Sequence, residues 1–415
     1  MPDDALKYGG KKIAASMAAL FGLNGCTQFI AAGMLAIFLG SHAFISNTQV
    51  GLIVALASLV TAVAQPLWGA IADHASSKNR ILLIIHICVA CSAWLFILPR
   101  HTSFLTLLPA VVAIYGLVYS PMSLTDTIVV ENLDKVRLRY GVMRALSAGG
   151  AATAAFLMFA FSGVVDSRPQ YAYAVLFGST VLCVFPLRYM PKTVGYAHRG
   201  KGGHAVAGAR RPGFDFAAIF KNKRLLLLLA YGLFTFIWLG CQNTYFSVYY
   251  ATERGLNAGV GMYGLLFTVC IAAEAAVMLL GTRVYNKLHI YTTLTLVQIA
   301  ACARSLVIYL SPNEYAVFAM IIFHGHLFGM LFLRVAPYIG SIVPEEMRAT
   351  GQACWSVMFM GLGPVVGSVA GGLITSFFDI RQVFLIASVA LMATTAVFYF
   401  LFRRQRAFDR LEAAK

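Results

Sequence analysis

The sequence predicts an all-α polytopic membrane protein of about twelve spanning helices in two six-helix halves, and three observations carry that prediction. Of the 415 residues, 60% are hydrophobic and only 12% are charged, against roughly 25% charged in soluble domains. Apolar runs of roughly 20 residues recur, the length that crosses a hydrocarbon core at about 1.5 Å per residue. One long polar stretch, 191–222, has six such runs before it and six after. A chain with so little polar surface needs lipid around it.

The first run, 13–39, follows Lys7, Lys11 and Lys12. It is too long for the apolar core of a secretory signal and reads as a span whose preceding terminus is cytoplasmic. Runs 48–73, 80–98, 103–128, 141–163 and 170–190 complete a first half over 1–190. In the fifth run, Ser147, Gly149 and Gly150 give the small-residue spacing that lets helix backbones approach. The stretch 191–222 is rich in Lys and Arg, and Gly200, Gly202, Gly203 and Pro212 mark it as a flexible cytoplasmic linker. The second half, 223–415, holds runs 223–250, 260–284, 289–310, 315–339, 349–376 and 380–403. Gly361, Gly363, Gly367, Gly371 and Gly372 repeat the small-residue spacing in the eleventh run, where Pro364 predicts a kink.

The net charge of +16 raises nucleic-acid binding as a function, but the positions of the charges exclude it. Most of the 32 Lys and Arg fall in the termini and alternate loops, with Arg100, Arg168, Arg254 and Arg381 opposite. That skew is the positive-inside rule, with anionic lipid headgroups as the natural partner. It predicts a multi-pass protein of a bacterial-type inner membrane, with both termini cytoplasmic. The eight cysteines fall almost entirely inside apolar runs, so no disulfide framework is expected. Cys88-x-x-Cys91 beside His86 invites a metal reading, but cysteine in a membrane helix is mostly a small packing residue. No metal or other cofactor is expected, and the chain reads as a monomer.

Ionisable residues inside the runs are few. Asp126 and Glu274 are the carboxylates away from run ends, and Arg144 and Arg304 the guanidinium groups, with Arg188 and Arg334 nearer the ends. A charge at the bilayer centre costs at least about 2.5–3.5 kcal/mol on insertion scales, so such residues face inward and pair. Antiparallel hairpins give their depth. The loop between runs 4 and 5 centres near Lys135, with Asp126 nine residues before and Arg144 nine after. These two are therefore level. The same reasoning brings Glu274, Arg304 and His324 to one depth on runs 8, 9 and 10. Carboxylate, guanidinium and imidazole in an apolar cavity are the components of a proton relay, since burial opposes a carboxylate charge and a neighbouring cation favours it. His326, about 200° round the helix from His324, competes with it for the cavity face. Trp238, Gln242 and Asn243 on run 7, Asn24 and Gln28 on run 1, and Tyr119 on run 4 are candidate solute contacts. Tyr249 and Tyr250 read instead as an interfacial aromatic belt.

Pro66-Leu67-Trp68-Gly69-Ala70-Ile71-Ala72-Asp73, followed by Lys78 and Arg80, resembles the cytoplasmic signature between helices 2 and 3 of major facilitator superfamily carriers. There Gly69 permits close helix approach, and Asp73, Lys78 and Arg80 form a gating latch. The glycine usual after Asp73 is missing from His74-Ala75-Ser76-Ser77. A twelve-helix count alone is shared by other carrier folds. The ordered set of motifs narrows the resemblance. Tyr140-Gly141-Val142-Met143-Arg144 is similar to the lactose permease and its proton-linked oligosaccharide and nucleoside relatives, and so are Glu274, Arg304, Phe323-His324-Gly325 and Gly351-Gln352. This resemblance implies that Asp126 and Arg144 hold the solute and that it binds near the bilayer midplane, where two rocking halves meet. Two positions depart from the group. Ala151 stands where a galactoside-stacking aromatic is usual, and Leu327 replaces a glutamate central to proton handling. Galactoside specificity is therefore not expected, and the proton route falls to Glu274 and Asp126.

These observations lead to a symporter that imports a small organic solute with the proton as coupling ion, and not to an enzyme. The sugar, nucleoside, aromatic acid and metal-chelate classes all remain open, as does efflux of amphipathic compounds. The two buried arginines weigh against cationic drugs.

Overall fold

A computed structural model of the protein describes residues 10–98, 103–132, 140–195, 222–280, 287–311, 313, 318–344 and 348–413. Each predicted run is a helix. In chain order they are α1 (Gly10–Gly40), α2 (Asn47–Asp73), α3 (Lys78–Ile97), α4 (Phe104–Tyr115 and Ser120–Val130), α5 (Tyr140–Ala160), α6 (Ala172–Leu187), α7 (Lys223–Ala251), α8 (Gly259–Leu280), α9 (Ile290–Leu310), α10 (Phe318–Ile342), α11 and α12 (Gln382–Ala413). The helix α11 joins Arg348–Ser356, a π-helical turn Val357–Leu362 and Gly363–Phe377. Among the described residues, eleven stretches are long and apolar enough to cross a membrane. The helix α10 adds a twelfth, with Arg334 its one Lys or Arg. Side chains such as Leu59, Val63 and Leu67, one turn apart on α2, are exposed where lipid would lie.

Two helices are interrupted, each at a proline. In α4, Pro121 has no N–H to offer the Leu117 carbonyl, which takes Ser120 N–H instead. The carbonyls released at the break are satisfied from α2, by Thr61 Oγ1 to Tyr115 O at 3.1 Å and Trp68 Nε1 to Gly116 O at 2.9 Å. In α11, Pro364 follows the π-helical turn, and Gly363 N–H reaches back to Met358 O. The kink expected at Pro364 is a π-bulge.

The chain forms two compact units. The first comprises Met1–Ala207, Tyr250–Glu253 and Asn257–Ile271, and the second Gly208–Tyr249, Arg254–Leu256 and Ala272–Lys415. In the first, α1 is deeply buried against α5 and α6. A Cβ on Gly25 would collide with the Ser147 backbone, and one on Gly150 with Gly22, so these small residues set the helix separation. In the second, Gly363, Gly367 and Gly371 face Phe236, Ile237 and Tyr245 of α7 in the same way.

Four expectations change. Gly149 and Gly69 have open space where a Cβ would stand, so neither marks a close helix approach. Tyr249 and Tyr250 are buried rather than interfacial, against Phe384 and Tyr263 respectively. Residues Pro191–Gly195, the start of the predicted linker, are hydrogen-bonded to the α2–α3 turn. Lys78 N–H donates to Thr193 O at 2.8 Å and Gly195 N–H to Ala75 O at 3.0 Å. Residues 196–221, with Gly200, Gly202, Gly203 and Pro212, lie outside the described residues. Finally, α12 runs ten residues beyond its predicted end and carries Arg403, Arg404 and Arg406.

Candidate functional site

The second unit brings two of the predicted residues, Gln242 and Asn243, onto one buried cation. Arg304 on α9 is 1% exposed. Its Nε and Nη2 donate to Gln242 Oε1 of α7 at 3.0 and 2.6 Å, and Nη2 also donates to Asn243 Oδ1 at 3.1 Å. Gln242 Nε2 is buried without a hydrogen-bond partner among the described residues, while Asn243 is exposed. Two neutral amides on α7 thus hold this buried guanidinium in place.

Glu274 on α8 and His324 on α10 approach each other through the glycines beside them. A Cβ on Gly325 would stand 3.1 Å from the Ala273 carbonyl carbon, and one on Gly329 would meet Val277 at 2.8 Å. The helices therefore cross closely, and His324 Nε2 lies 3.9 Å from Glu274 Oε2. This is an ion pair only when the imidazole carries its second proton. His324 is the histidine facing Glu274; the His326 side chain lies outside the described residues. Trp238 is half-buried against the hydrophobic core of this unit.

The first unit supplies the other acid–arginine pair. Arg144 Nη2 lies 2.9 Å from Asp126 Oδ2, with the two side chains 51% and 21% exposed. The hairpin count had placed them level, and they are in contact. Immediately before Asp126 on α4, Thr125 accepts a 3.0 Å hydrogen bond from the buried Asn24 Nδ2. Gln28 and Tyr119 are half-buried on α1 and beside α4, the Tyr119 ring 6.4 Å from Tyr115.

At the α2–α3 turn, Lys78 is 3% exposed. Its Nζ pairs with Glu131 Oε1 at 2.8 Å and lies 3.6 Å from Asp73 Oδ1. The closer partner, at the end of α4, escaped the sequence reading. The signal was there: a lysine inside an apolar framework demands a carboxylate, and Glu131 ends the neighbouring helix. Arg80 is exposed.

Two further groups were not singled out. Asp166 Oδ1 accepts from Gly261 N–H at 2.8 Å in the first turn of α8, where Gly259 has φ +84°. An aromatic cluster adjoins His324, with Phe328 at 4.9 Å from its ring, then Phe359, Phe236 and Trp355 in edge contacts. Among the described residues, no His, Cys, Asp or Glu group could hold a metal, and all eight cysteines are free thiols.

Residues 32–386 match the profile of the MFS_1 like family. The maltose permease of Geobacillus stearothermophilus is 24% identical over 406 residues, covering 97% of this chain and 98% of its own. An uncharacterized transporter, YwbF of Bacillus subtilis, is 22% identical over 374 residues, 90% of this chain and 89% of that one. Among solved structures, the nucleoside transporter NupG superposes with TM-score 0.75 at 15% identity, over 94% of this chain and 99% of that one.

Proposed function

The chain belongs to the MFS_1 like family of major facilitator transporters, and from that premise we propose that it imports a small organic solute together with protons. It is a multi-pass membrane transporter and not an enzyme. The observation that carries the proposal is the buried Arg304 group. A guanidinium 1% exposed inside an apolar helix bundle, in the same unit as the Glu274–His324 pair, serves a charge-moving function before a structural one.

In this reading Glu274 carries the coupling proton. Arg304 and His324 complete the proton-coupling group: the solute-loaded carrier reorients with the Glu274 carboxylate protonated, and the empty carrier returns only after that proton has been released. The residues proposed to contact solute are Arg144 and Asp126, then Asn243, Gln242 and Trp238, with Asn24, Gln28 and Tyr119 adding polar groups. Two guanidinium groups and two amides favour a hydroxylated or anionic solute over a cation. The Asp73–Lys78–Glu131 group acts as a latch in the transport cycle, with Gly69 and Arg80 part of the same gating segment. The location is the inner membrane, with termini and linker cytoplasmic.

Vesicles loaded with the solute test the coupling. Glu274→Gln mimics permanent protonation, so exchange of solute across equal concentrations persists while accumulation driven by a pH gradient disappears. A Glu274→Gln protein that still concentrates its solute moves the proton to another group, with Asp126 next. The wild-type solute is found first by a thermal-shift screen on purified protein, since a bound ligand raises apparent stability by mass action.

A further inference from the structure

A cavity lies in the second unit, away from the Arg304 group. The start of α9 and the end of α10 enclose a volume of about 370 Å³, lined by Leu288, His289, Arg334, Pro337, Tyr338 and Ser341 among others. That volume falls within the roughly 300–1,000 Å³ of small-molecule pockets. Its polar groups are held in place. Arg334 Nη2 donates to Leu288 O at 2.7 Å, which fixes the guanidinium across the wall. The Tyr338 and Tyr291 hydroxyls are 2.9 Å apart, and Ser341 Oγ donates to Tyr338 O at 2.7 Å. Among the described residues no carboxylate lines the cavity.

The surroundings indicate the occupant. Tyr291, one residue beyond Ile290 of the lining, stacks face to face on Phe402 of α12, with ring centroids 4.7 Å apart and planes at 8°. At that level α12 passes from exposed apolar side chains, Phe400 and Leu401, to Arg403, Arg404 and Arg406. An apolar-to-basic change on a spanning helix marks the bilayer interface. The cavity thus opens at headgroup depth, with a fixed guanidinium, hydroxyl donors and a fringe of arginines.

We propose that this cavity binds the phosphate of an anionic membrane lipid. Arg334 contacts the phosphate oxygens, the Tyr338 and Ser341 hydroxyls serve the headgroup, and the acyl chains run along the apolar flank of α12. This site is independent of the transported solute.

The test uses full-length protein in neutral detergent, with native mass spectrometry reading bound lipid. Phosphatidylglycerol is expected to be retained in preference to phosphatidylcholine. Arg334→Gln weakens retention about fivefold, the equivalent of one basic contact at a membrane surface, while Arg334→Lys restores part of it. Ser341→Leu narrows the cavity without changing charge, weakens retention comparably, and decides the matter should Arg334→Gln fail to fold. Displacement of phosphatidylglycerol by millimolar inorganic phosphate keeps the pocket's anion chemistry but overturns the lipid assignment. Equal retention of both lipids by wild type, or unchanged retention in both variants, overturns the proposal.

Discussion

Arg304 donates twice to the one side-chain oxygen of Gln242, at 3.0 and 2.6 Å, and once to Asn243, at 3.1 Å. The two amides differ in exposure, Gln242 being buried and Asn243 exposed, and this separates their expected phenotypes.

Gln242→Leu removes two of the hydrogen bonds that hold a buried guanidinium. Hydrogen bonds to a charged group contribute roughly 1.5–3 kcal/mol, so this variant should lower the melting temperature clearly and lose transport with it. Asn243→Leu should leave thermal stability nearly unchanged and weaken solute binding. Thermal unfolding in detergent together with a binding assay checks both. Equal destabilisation by the two substitutions would remove the distinction between a residue that holds Arg304 and one that faces solute.

Arg144→Lys separates recognition from stability in the first unit. The Arg144 and Asp126 side chains are partly open to solvent, and exposed ion pairs contribute only about 0–1 kcal/mol. The variant should therefore insert and melt like wild type. A planar fork, however, cannot be rebuilt from an ammonium, so solute affinity should fall at least tenfold. Wild-type affinity in Arg144→Lys would reassign the pair to packing.

The contrast between these residues shows how much of the molecule the sequence exposed. Helix number and order follow from apolar run length, because a bilayer leaves the backbone few other options. Asp126 and Arg144 were legible because hairpin geometry is rigid enough for residue counting. The bond from Arg304 to Gln242 was not, since α7 and α9 are not sequential and no hairpin count links them. Nor was the loss of one turn at 116–119. Pro121 stood in view, but a proline predicts a defect and not which carbonyls Thr61 and Trp68 will satisfy. The candidate lists for solute and proton therefore came out separate, whereas Gln242 and Asn243 sit on the same cation as Glu274's neighbourhood was expected to supply.

Lys78 offers a double-mutant test. Among the described residues, Glu131→Gln leaves a lysine that is 3% exposed with the more distant Asp73 as its carboxylate partner. Removing one member of a buried pair is worse than removing both, because a charge remains without compensation. Glu131→Gln should lower the melting temperature by several degrees, and adding Lys78→Met should recover part of the loss. Strict additivity of the two substitutions would show that Lys78 and Glu131 do not act as a pair.

Topology is tested at Lys192, exposed next to the residue whose carbonyl accepts from Lys78 N–H at the α2–α3 turn. With native cysteines replaced, Lys192→Cys and tags placed in 196–221 should react with a membrane-impermeant maleimide only in inverted vesicles. Labelling from the outside of intact cells would reverse the orientation read from the Lys and Arg skew.

Asp166 makes the last and most specific prediction. Its carboxylate accepts from Gly261 N–H at 2.8 Å, and Gly259, at φ +84°, places its Cα where any Cβ would stand 2.9 Å from that carboxylate. Gly261 and Gly264 likewise leave no room for side chains against Ser162 and Ala155. These contacts tie Gly259–Ile271 of α8 to the first unit, while Ala272 onward belongs to the second. A carrier that works by alternating access has to break a tie of this kind once per cycle. A charge-assisted hydrogen bond contributes roughly 1.5–3 kcal/mol, so Asp166→Ala should shift the conformational equilibrium about tenfold or more. Ser162→Cys, introduced beside Gly261 in a cysteine-free background, reports that shift directly. Its maleimide labelling rate should rise about tenfold when Asp166→Ala is added, with the melting temperature little changed. Asp166→Asn, which keeps an acceptor oxygen but not the charge, should fall in the middle. An unchanged labelling rate in Asp166→Ala would show that the contact is packing alone and that the glycines, without the carboxylate, hold α8 in place.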